Sequence, residues 1–276
     1  MLDDGIEFQT IRVRPLTPTI GAEIFGVDLS QTLSGQQSDE IHAALMRHLV
    51  IFFRDQHLSI EQHKDFGRRF GCLDIHPTTR MEGHPEIIEI KADENSKYVA
   101  GEIWHSDVTC NPIPPMGSIL YLHKVPENGG GDTLFVNMYR AYETLSESVR
   151  RLIDGLTAVH DGDRVYRVRQ GKKVTGDLPR AEHPVVRTHP VTGRKALFVN
   201  RNFTVRMIGM SPLESDALLE MLYRHSEQDE FKCRFKWQPN SIAFWDNRCT
   251  MHLAMWDYFP QRRYGHRVTI AGTKPC

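Results

Sequence analysis

The sequence predicts a mainly β fold, a jelly-roll or barrel with helices laid against it, and three observations carry that reading. Short β-rich runs recur along the chain, separated by turn-forming stretches such as P-V-T-G (190–193) and D-N (246–247). The segment 231–237 alternates Phe231, Cys233, Phe235 and Trp237 with Lys232, Arg234 and Lys236, the period of two that gives a strand one buried and one wet face. Helical periodicity, by contrast, is confined to a few capped segments.

In chain order, Ile41, Ala44, Leu45 and Leu49 recur at helical spacing and lead into a strand-like V-I-F-F at 50–53. Ser59 with Gln62 forms a capping box for a helix running to about Gly71, where glycine should end it. Strands are expected at 86–90, 118–122, 133–136, 185–188 and 196–199. The box S-P-L-E (211–214), with proline at the first helical position, opens a helix carrying Leu218, Leu219 and Leu222. Strands at 231–237, 241–245 and 267–270 complete the set. The helices read as buttresses, and their His42, His48, His63 and His225 as surface or packing residues rather than ligands.

At 276 residues with no Pro/Ser-rich linker, charge block or repeat, the chain is expected to form a single domain, 1–276, with a sizeable core. A net charge of -1 argues against a nucleic-acid scaffold, which would show a basic excess. The run Arg164, Arg167, Arg169, Lys172, Lys173 reads as a solvated loop, with attraction of an anionic substrate as its alternative. The N-terminus lacks the basic-then-apolar pattern of a signal peptide, and no apolar run is long enough to span a membrane. Five scattered cysteines (72, 110, 233, 249, 276) without C-x-x-C suit reduced thiols in a cytoplasmic protein.

The chemistry is concentrated in W-H-S-D-V-T (104–109) and T-M-H (250–252). On an extended segment His105 and Asp107 would point to one face, and His252 would complete a two-His, one-carboxylate triad, the usual home of non-haem Fe(II) with three open positions. By itself H-x-D also suits a polar surface strand. Around it stand G-G-G-D-T (129–133), F-W-D-N-R-C-T-M-H (244–252) and Q-R-R-Y-G-H-R-V-T-I (261–270). There Arg263, Gly265 and Arg267 share one strand face, with the glycine expected to leave room for an anion. Cys110 and Cys249, close in sequence to the proposed ligands, raise a Cys/His nucleophile, for which no oxyanion loop is evident.

Taken with G-A-E-I-F-G-V-D-L-S (21–30), P-E-N-G-G-G-D-T-L-F (126–135) and H-P-V-V-R-T-H-P-V-T-G-R-K-A-L-F-V-N (183–200), these motifs match in order, over nearly the whole chain, the taurine dioxygenase (TauD) family of Fe(II)- and 2-oxoglutarate-dependent oxygenases, which the chain resembles. The resemblance implies a double-stranded β-helix, cupin-like core, and His105, Asp107 and His252 as the metal ligands and catalytic centre. It implies that Thr133 and Arg263 hold the distal carboxylate of 2-oxoglutarate, that His76 and Arg267 meet the anionic head of the substrate, and that Val108, Tyr166 and Phe203 form apolar wall. The implied reaction consumes O2 and 2-oxoglutarate, gives succinate and CO2, and hydroxylates a small anionic organic substrate. Where the hydroxylated carbon bears sulfonate, sulfate ester or aryloxy, the adduct collapses and releases that group.

Three positions depart from taurine dioxygenase: Thr79 replaces a tyrosine, Gly101 an asparagine, and Tyr166 a phenylalanine of the pocket wall. Two lost polar side chains favour a bulkier or less polar anion than taurine. The Gly- and charge-rich segment 161–183 is long enough for a mobile lid. A homo-oligomer is expected. The rival readings are a non-catalytic cupin-like binding protein, whose triad or carboxylate clamp should be broken, and a Zn(II) hydrolase, which would work without oxygen.

Overall fold

In the computed structural model, which describes residues 7–76, 80–169 and 176–276, strands outnumber helices as the alternation predicts. The order is β1 (Arg12–Pro15), β2 (Ala22–Phe25), α1 (Gly35–His48), β3 (Val50–Phe53), α2 (Ile60–Arg68), β4 (Ile87–Ala92), β5 (Gly117–Lys124), β6 (Thr133–Asn137), α3 (Met138–Glu143), α4 (Glu147–Ile153) and β7 (Thr157–Asp161). A π-helical turn (Arg164–Arg169) leads on to β8 (Arg180–Pro184), β9 (Val186–Thr188), β10 (Lys195–Leu197), β11 (Thr204–Met207), α5 (Pro212–Ser226), β12 (Lys232–Phe235), β13 (Ser241–Asp246), β14 (Thr250–Ala254) and β15 (Arg263–Ile270).

Seven strands form one sheet in the order β1-β2-β3-β13-β5-β15-β4, and β12-β6-β14 form a second. These two sheets face each other: Phe52 of β3 stacks on Phe235 of β12 with centroids 3.9 Å apart and meets Phe135 of β6 edge-on at 5.7 Å. Between them lies one apolar interior that includes Val50, Leu122, Val136, Trp245 and Met251. On the other face of the large sheet, Ile41, Ala44 and Leu45 of α1 and Phe66 of α2 pack with Ile51, Phe53, Phe244 and Val268. V-I-F-F is therefore apolar at every position because its alternate residues enter two different cores, and all four are buried. This is the double-stranded β-helix arrangement, with helices covering its large sheet.

Capping follows the sequence. Ser34, Ser59 and Ser211 each cap a helix with a complete capping box, and Pro212 opens α5. Gly71, however, does not end α2, which stops at Arg68 because Arg69 and Phe70 tighten the chain with bonds to Phe66 and Gly67 carbonyls. The alternation at 231–237 holds in burial, but pairing is limited to Lys232–Phe235 because Phe231 closes a 3-10 turn. Helices α3 and α4, of 6 and 7 residues, were invisible to periodicity because so short a segment barely completes two turns. No helix among the described residues is long and apolar enough to cross a membrane.

Candidate metal centre and substrate cavity

Two hydrogen bonds bring the distant histidines together. His105 and His252 form an isolated antiparallel bridge, His105 N–H to His252 O at 3.1 Å and His252 N–H to His105 O at 2.8 Å, which sets their rings 4.1 Å apart. The H-x-D segment is not the extended strand expected from its spacing. After the single bridge at His105 the chain turns over 107–110, and Val108 takes φ +45, a left-handed conformation rare for a β-branched residue. The turn, not a strand pleat, aims Asp107 inward. Its Oδ1 stands 3.9 Å from His105 Nε2 and 3.8 Å from His252 Nε2. Between the two ligands, Ser106 donates to the carbonyls of Asn247 at 2.6 Å and Thr250 at 3.1 Å, tying the segment to the β13–β14 turn.

Burial holds both imidazoles below their ordinary pKa, so they are neutral. His105 Nδ1 lies 2.7 Å from the Ile103 carbonyl, which places its proton there and leaves the Nε2 lone pair facing Asp107. Burial opposes charge on Asp107, but the Arg267 guanidinium above all, with a Ser118 hydrogen bond, holds its carboxyl well below the usual range. Two neutral imidazole nitrogens and one carboxylate oxygen, all within 4.8 Å of one another, suit a divalent transition metal with positions left open. A second group, His189, Asp246 and Cys249, is structural: Asp246 already accepts from His189 Nε2 at 3.0 Å and from Arg248 at 2.8 and 2.6 Å. Burial pushes the Cys249 thiol far up and the Cys110 thiol to about 12, so neither is the thiolate that a cysteine nucleophile requires.

The triad opens on a cavity of about 480 Å³ whose lining includes every site residue named from the sequence: His76, His105, Asp107, Val108, Thr133, Tyr166, Phe203, His252, Arg263 and Arg267. Arg263 is buried at 2% exposure, and among the described residues its Nε has no hydrogen-bond partner. Among the described residues its Nη2 reaches Thr133 Oγ1, at 3.5 Å. Trp237 Nε1, which can only donate, points at the same hydroxyl from 2.9 Å, so the Thr133 hydrogen is left to donate elsewhere. Gly131, at φ +82, makes room for this arrangement: a Cβ there would stand 3.2 Å from both Arg263 Cδ and Tyr258 Cδ1.

Arg267 Nη1 pairs with Asp107 Oδ1 at 2.7 Å. Gly265, between the arginines, does not make room for an anion as expected. A Cβ there would fall 2.2 Å from the Tyr121 carbonyl oxygen and 2.9 Å from Leu122 Cα, so the glycine admits the backbone of β5 at a bulge between Tyr264 and Gly265. At the other wall Tyr166 comes from the π-helical turn, a distortion common at functional sites, and its hydroxyl lies 3.5 Å from His76 Nε2. The basic run expected as a solvated loop begins in that turn, where Arg164 donates to the Thr204 carbonyl at 3.2 Å and Arg167 to the Gly176 carbonyl at 2.9 Å. Lys172, Lys173 and the centre of the expected lid fall in 170–175, and Thr79 in 77–79, outside the described residues. Gly101, at φ +91, lies against the metal-facing ring: a Cβ would stand 3.2 Å from His105 Cε1. Gly101 lines the cavity and presents no side chain to it.

Among the cavity residues that the sequence reading did not name, two aromatics stand out. Trp245 lies 4.7 Å from the His252 ring, and the buried Tyr258 hydroxyl has no hydrogen-bond partner among the described residues. The aromatic positions in F-W-D-N and D-Y-F-P were the available signal, but period-two burial alone cannot tell a cavity wall from core.

The family model for taurine catabolism dioxygenase TauD/TfdA matches residues 12–269. The chain is 37% identical over 276 residues to an alpha-ketoglutarate-dependent sulfate ester dioxygenase of Pseudomonas putida, covering 95% of this chain and 90% of that one. It is 34% identical to a putative alpha-ketoglutarate-dependent sulfonate dioxygenase of Schizosaccharomyces pombe, over 96% of this chain and 70% of that one. The crystal structure of a putative alpha-ketoglutarate-dependent taurine dioxygenase from Burkholderia xenovorans matches with a TM-score of 0.85 at 43% identity, covering 96% of this chain and 91% of that one. With the triad, the two cavity-lining arginines and these likenesses together, the chain belongs to the TauD/TfdA family and is a 2-oxoglutarate-dependent dioxygenase.

Proposed function

We propose that the protein hydroxylates a small organic sulfonate or sulfate ester at the carbon bearing the sulfur-containing group, using O2 and 2-oxoglutarate and giving succinate and CO2. The hydroxylated adduct then collapses to a carbonyl compound and releases sulfite or sulfate. The observation that carries this reading is the pair of arginines on one strand: Arg263, buried in the cavity with no carboxylate partner among the described residues, and Arg267 beside the donor triad.

In this reading His105, Asp107 and His252 hold Fe(II). The bound iron and 2-oxoglutarate supply the oxygen-activating chemistry, and the protein supplies position and electrostatics. Arg263 offers its planar fork, and Thr133 its remaining hydroxyl hydrogen, to the distal carboxylate of 2-oxoglutarate. Arg267 and His76 bind the anionic head of the substrate, which orients the carbon next to it toward the triad. Val108, Tyr166 and Phe203, all buried, keep water from that carbon. No side chain is required as a general base. The five unpaired cysteines support a reducing, cytoplasmic setting.

The sulfonate and sulfate ester dioxygenases among its relatives support the choice of head group, and Gly101 supports a substrate bulkier than taurine. The test is succinate formation with taurine, longer alkanesulfonates, alkyl sulfates and aryloxyalkanoates competing at saturating 2-oxoglutarate. Glycine at position 101 offers no side-chain hydrogen bond to a polar substrate group, which costs about 1–3 kcal/mol, so kcat/KM for taurine should fall about tenfold or more below that of the best substrate. A taurine value above all the others would reject the bulky-substrate reading, and a preference for aryloxyalkanoates would reassign the leaving group.

A further inference from the structure

The two oxygens of Asp107 are treated differently by the fold. Oδ1 faces both imidazoles and accepts from Arg267 Nη1 at 2.7 Å. Oδ2 faces Ser118 of β5, whose Oγ lies 2.8 Å away and which is fully buried. The direction of that hydrogen bond is fixed by its neighbours. Asn247 Oδ1 takes the Trp245 indole N–H at 2.9 Å and the Asp107 backbone N–H at 3.3 Å, both of which can only donate, so the amide orientation is set. Asn247 Nδ2 must then donate to Ser118 Oγ, at 3.4 Å. With its oxygen accepting from Asn247, the Ser118 hydroxyl has its hydrogen available for Asp107 Oδ2.

We propose that Ser118 is a positioning residue that reserves Oδ2 of Asp107 and leaves Oδ1 as the single oxygen offered to the metal. The proposal rests on the reading of His105, Asp107 and His252 as the metal site. Its consequence for the reaction is a matter of counting. A carboxylate that chelated through both oxygens would occupy one of the positions that 2-oxoglutarate and O2 need, and rotation of the Asp107 carboxylate toward that mode requires Oδ2 to leave Ser118. Ser118 is paired on both sides, with Trp245 of β13 and Thr269 of β15, so the backbone that carries the donor is fixed in place. Asn247 acts one step further out, holding both the hydroxyl and the Asp107 backbone.

The test uses Ser118→Ala, which removes the donor, and Ser118→Cys, which fills the space with a poor one. Mn(II) affinity is measured by chelator competition on the metal-stripped full chain, and the coordination state by the visible d–d spectrum of the Co(II) form. Loss of a hydrogen bond to a metal-binding carboxylate should weaken metal binding about tenfold or more in both variants, with an altered Co(II) spectrum and unchanged far-UV circular dichroism. A loss under about fivefold in either variant, or a wild-type Co(II) spectrum in both, overturns the proposal. Retention by Ser118→Cys alone assigns the effect to packing and does the same. His105→Ala is the control: if it binds Mn(II) as wild type does, the metal-site reading falls and the proposal with it. If His105→Ala loses the metal while the Ser118 variants keep it, only the role of Ser118 is wrong. A variant that does not fold is replaced by Ser118→Gly, which also removes the hydroxyl donor and should produce the same weakening.

Discussion

Arg263→Met separates two consequences of burying a cation that has no anion of its own. The guanidinium is 2% exposed, its Nε has no partner among the described residues, and Asp132, the carboxylate that acts on it, is engaged by Arg234 at 2.6 Å. Burial accordingly lowers its pKa, against weaker support from Tyr258 and Asp132. In the ligand-free protein the charge has been desolvated without a partner, so a methionine of similar length should leave stability unchanged or raise it by up to about 2 kcal/mol. The Trp237 ring, 5.7 Å from the guanidinium, offsets this by about 0.5–1 kcal/mol. With 2-oxoglutarate present the sign reverses. A carboxylate that loses its buried charged partner gives up about 2–5 kcal/mol, a factor of roughly 30 to 5000 in Kd. Calorimetric titration of 2-oxoglutarate into the Mn(II)-loaded protein without oxygen measures the second quantity, and denaturant unfolding without ligand the first. A loss of affinity under about fivefold would show that Arg263 is not the carboxylate clamp. A ligand-free destabilisation beyond about 1 kcal/mol would show that the guanidinium is a structural element instead.

Three further outcomes are expected. His105→Ala, Asp107→Ala and His252→Ala should each abolish substrate-coupled succinate formation and stoichiometric iron binding while the circular dichroism spectrum persists; any one that keeps both leaves the site. Arg267→Ala should chiefly raise KM for the primary substrate, by about thirtyfold or more, and equal defects for both ligands in the Arg263 and Arg267 variants would show that the two arginines do not divide the labour. His63, buried with Nε2 3.1 Å from the Ile119 carbonyl, has its pKa lowered to about 3 by burial, with His266 and His123 adding to the effect. Because the folded value lies below the ordinary 6.5, this stabilising contribution is complete above pH 6.5 and is lost as pH falls toward 3. At pH 5 the loss is about 2 kcal/mol, so His63→Gln should show a flatter decline in unfolding free energy between pH 7 and 5; a parallel decline would mean other groups control acid stability.

The site residues that meet in the cavity could be picked out from the order of the amino acids alone. His105, Asp107 and His252, which the fold brings within 4.8 Å of one another, were readable as a candidate triad because H-x-D, a distant M-H and R-x-x-x-R are an unusual combination in one chain. The strands were readable for a similar reason, since burial on one face writes itself at a period of two, as at Phe231, Cys233, Phe235 and Trp237. The tertiary structure decided everything that depends on which backbone lies opposite which. Gly265 looked like space for an anion, yet it is space for β5, because no linear pattern records that the Tyr121 carbonyl stands 2.2 Å from where its Cβ would be. Asp107 reaches the histidines through a turn with Val108 at positive φ, a conformation that the preference of valine for extended structure conceals. The unequal environments of the Asp107 oxygens follow from β5, β13, β15 and the β13–β14 turn meeting at one point. Hydrogen bonds are short and directional, so Ser118, Asn247 and Arg267 acquire their roles only when pairing places those elements side by side.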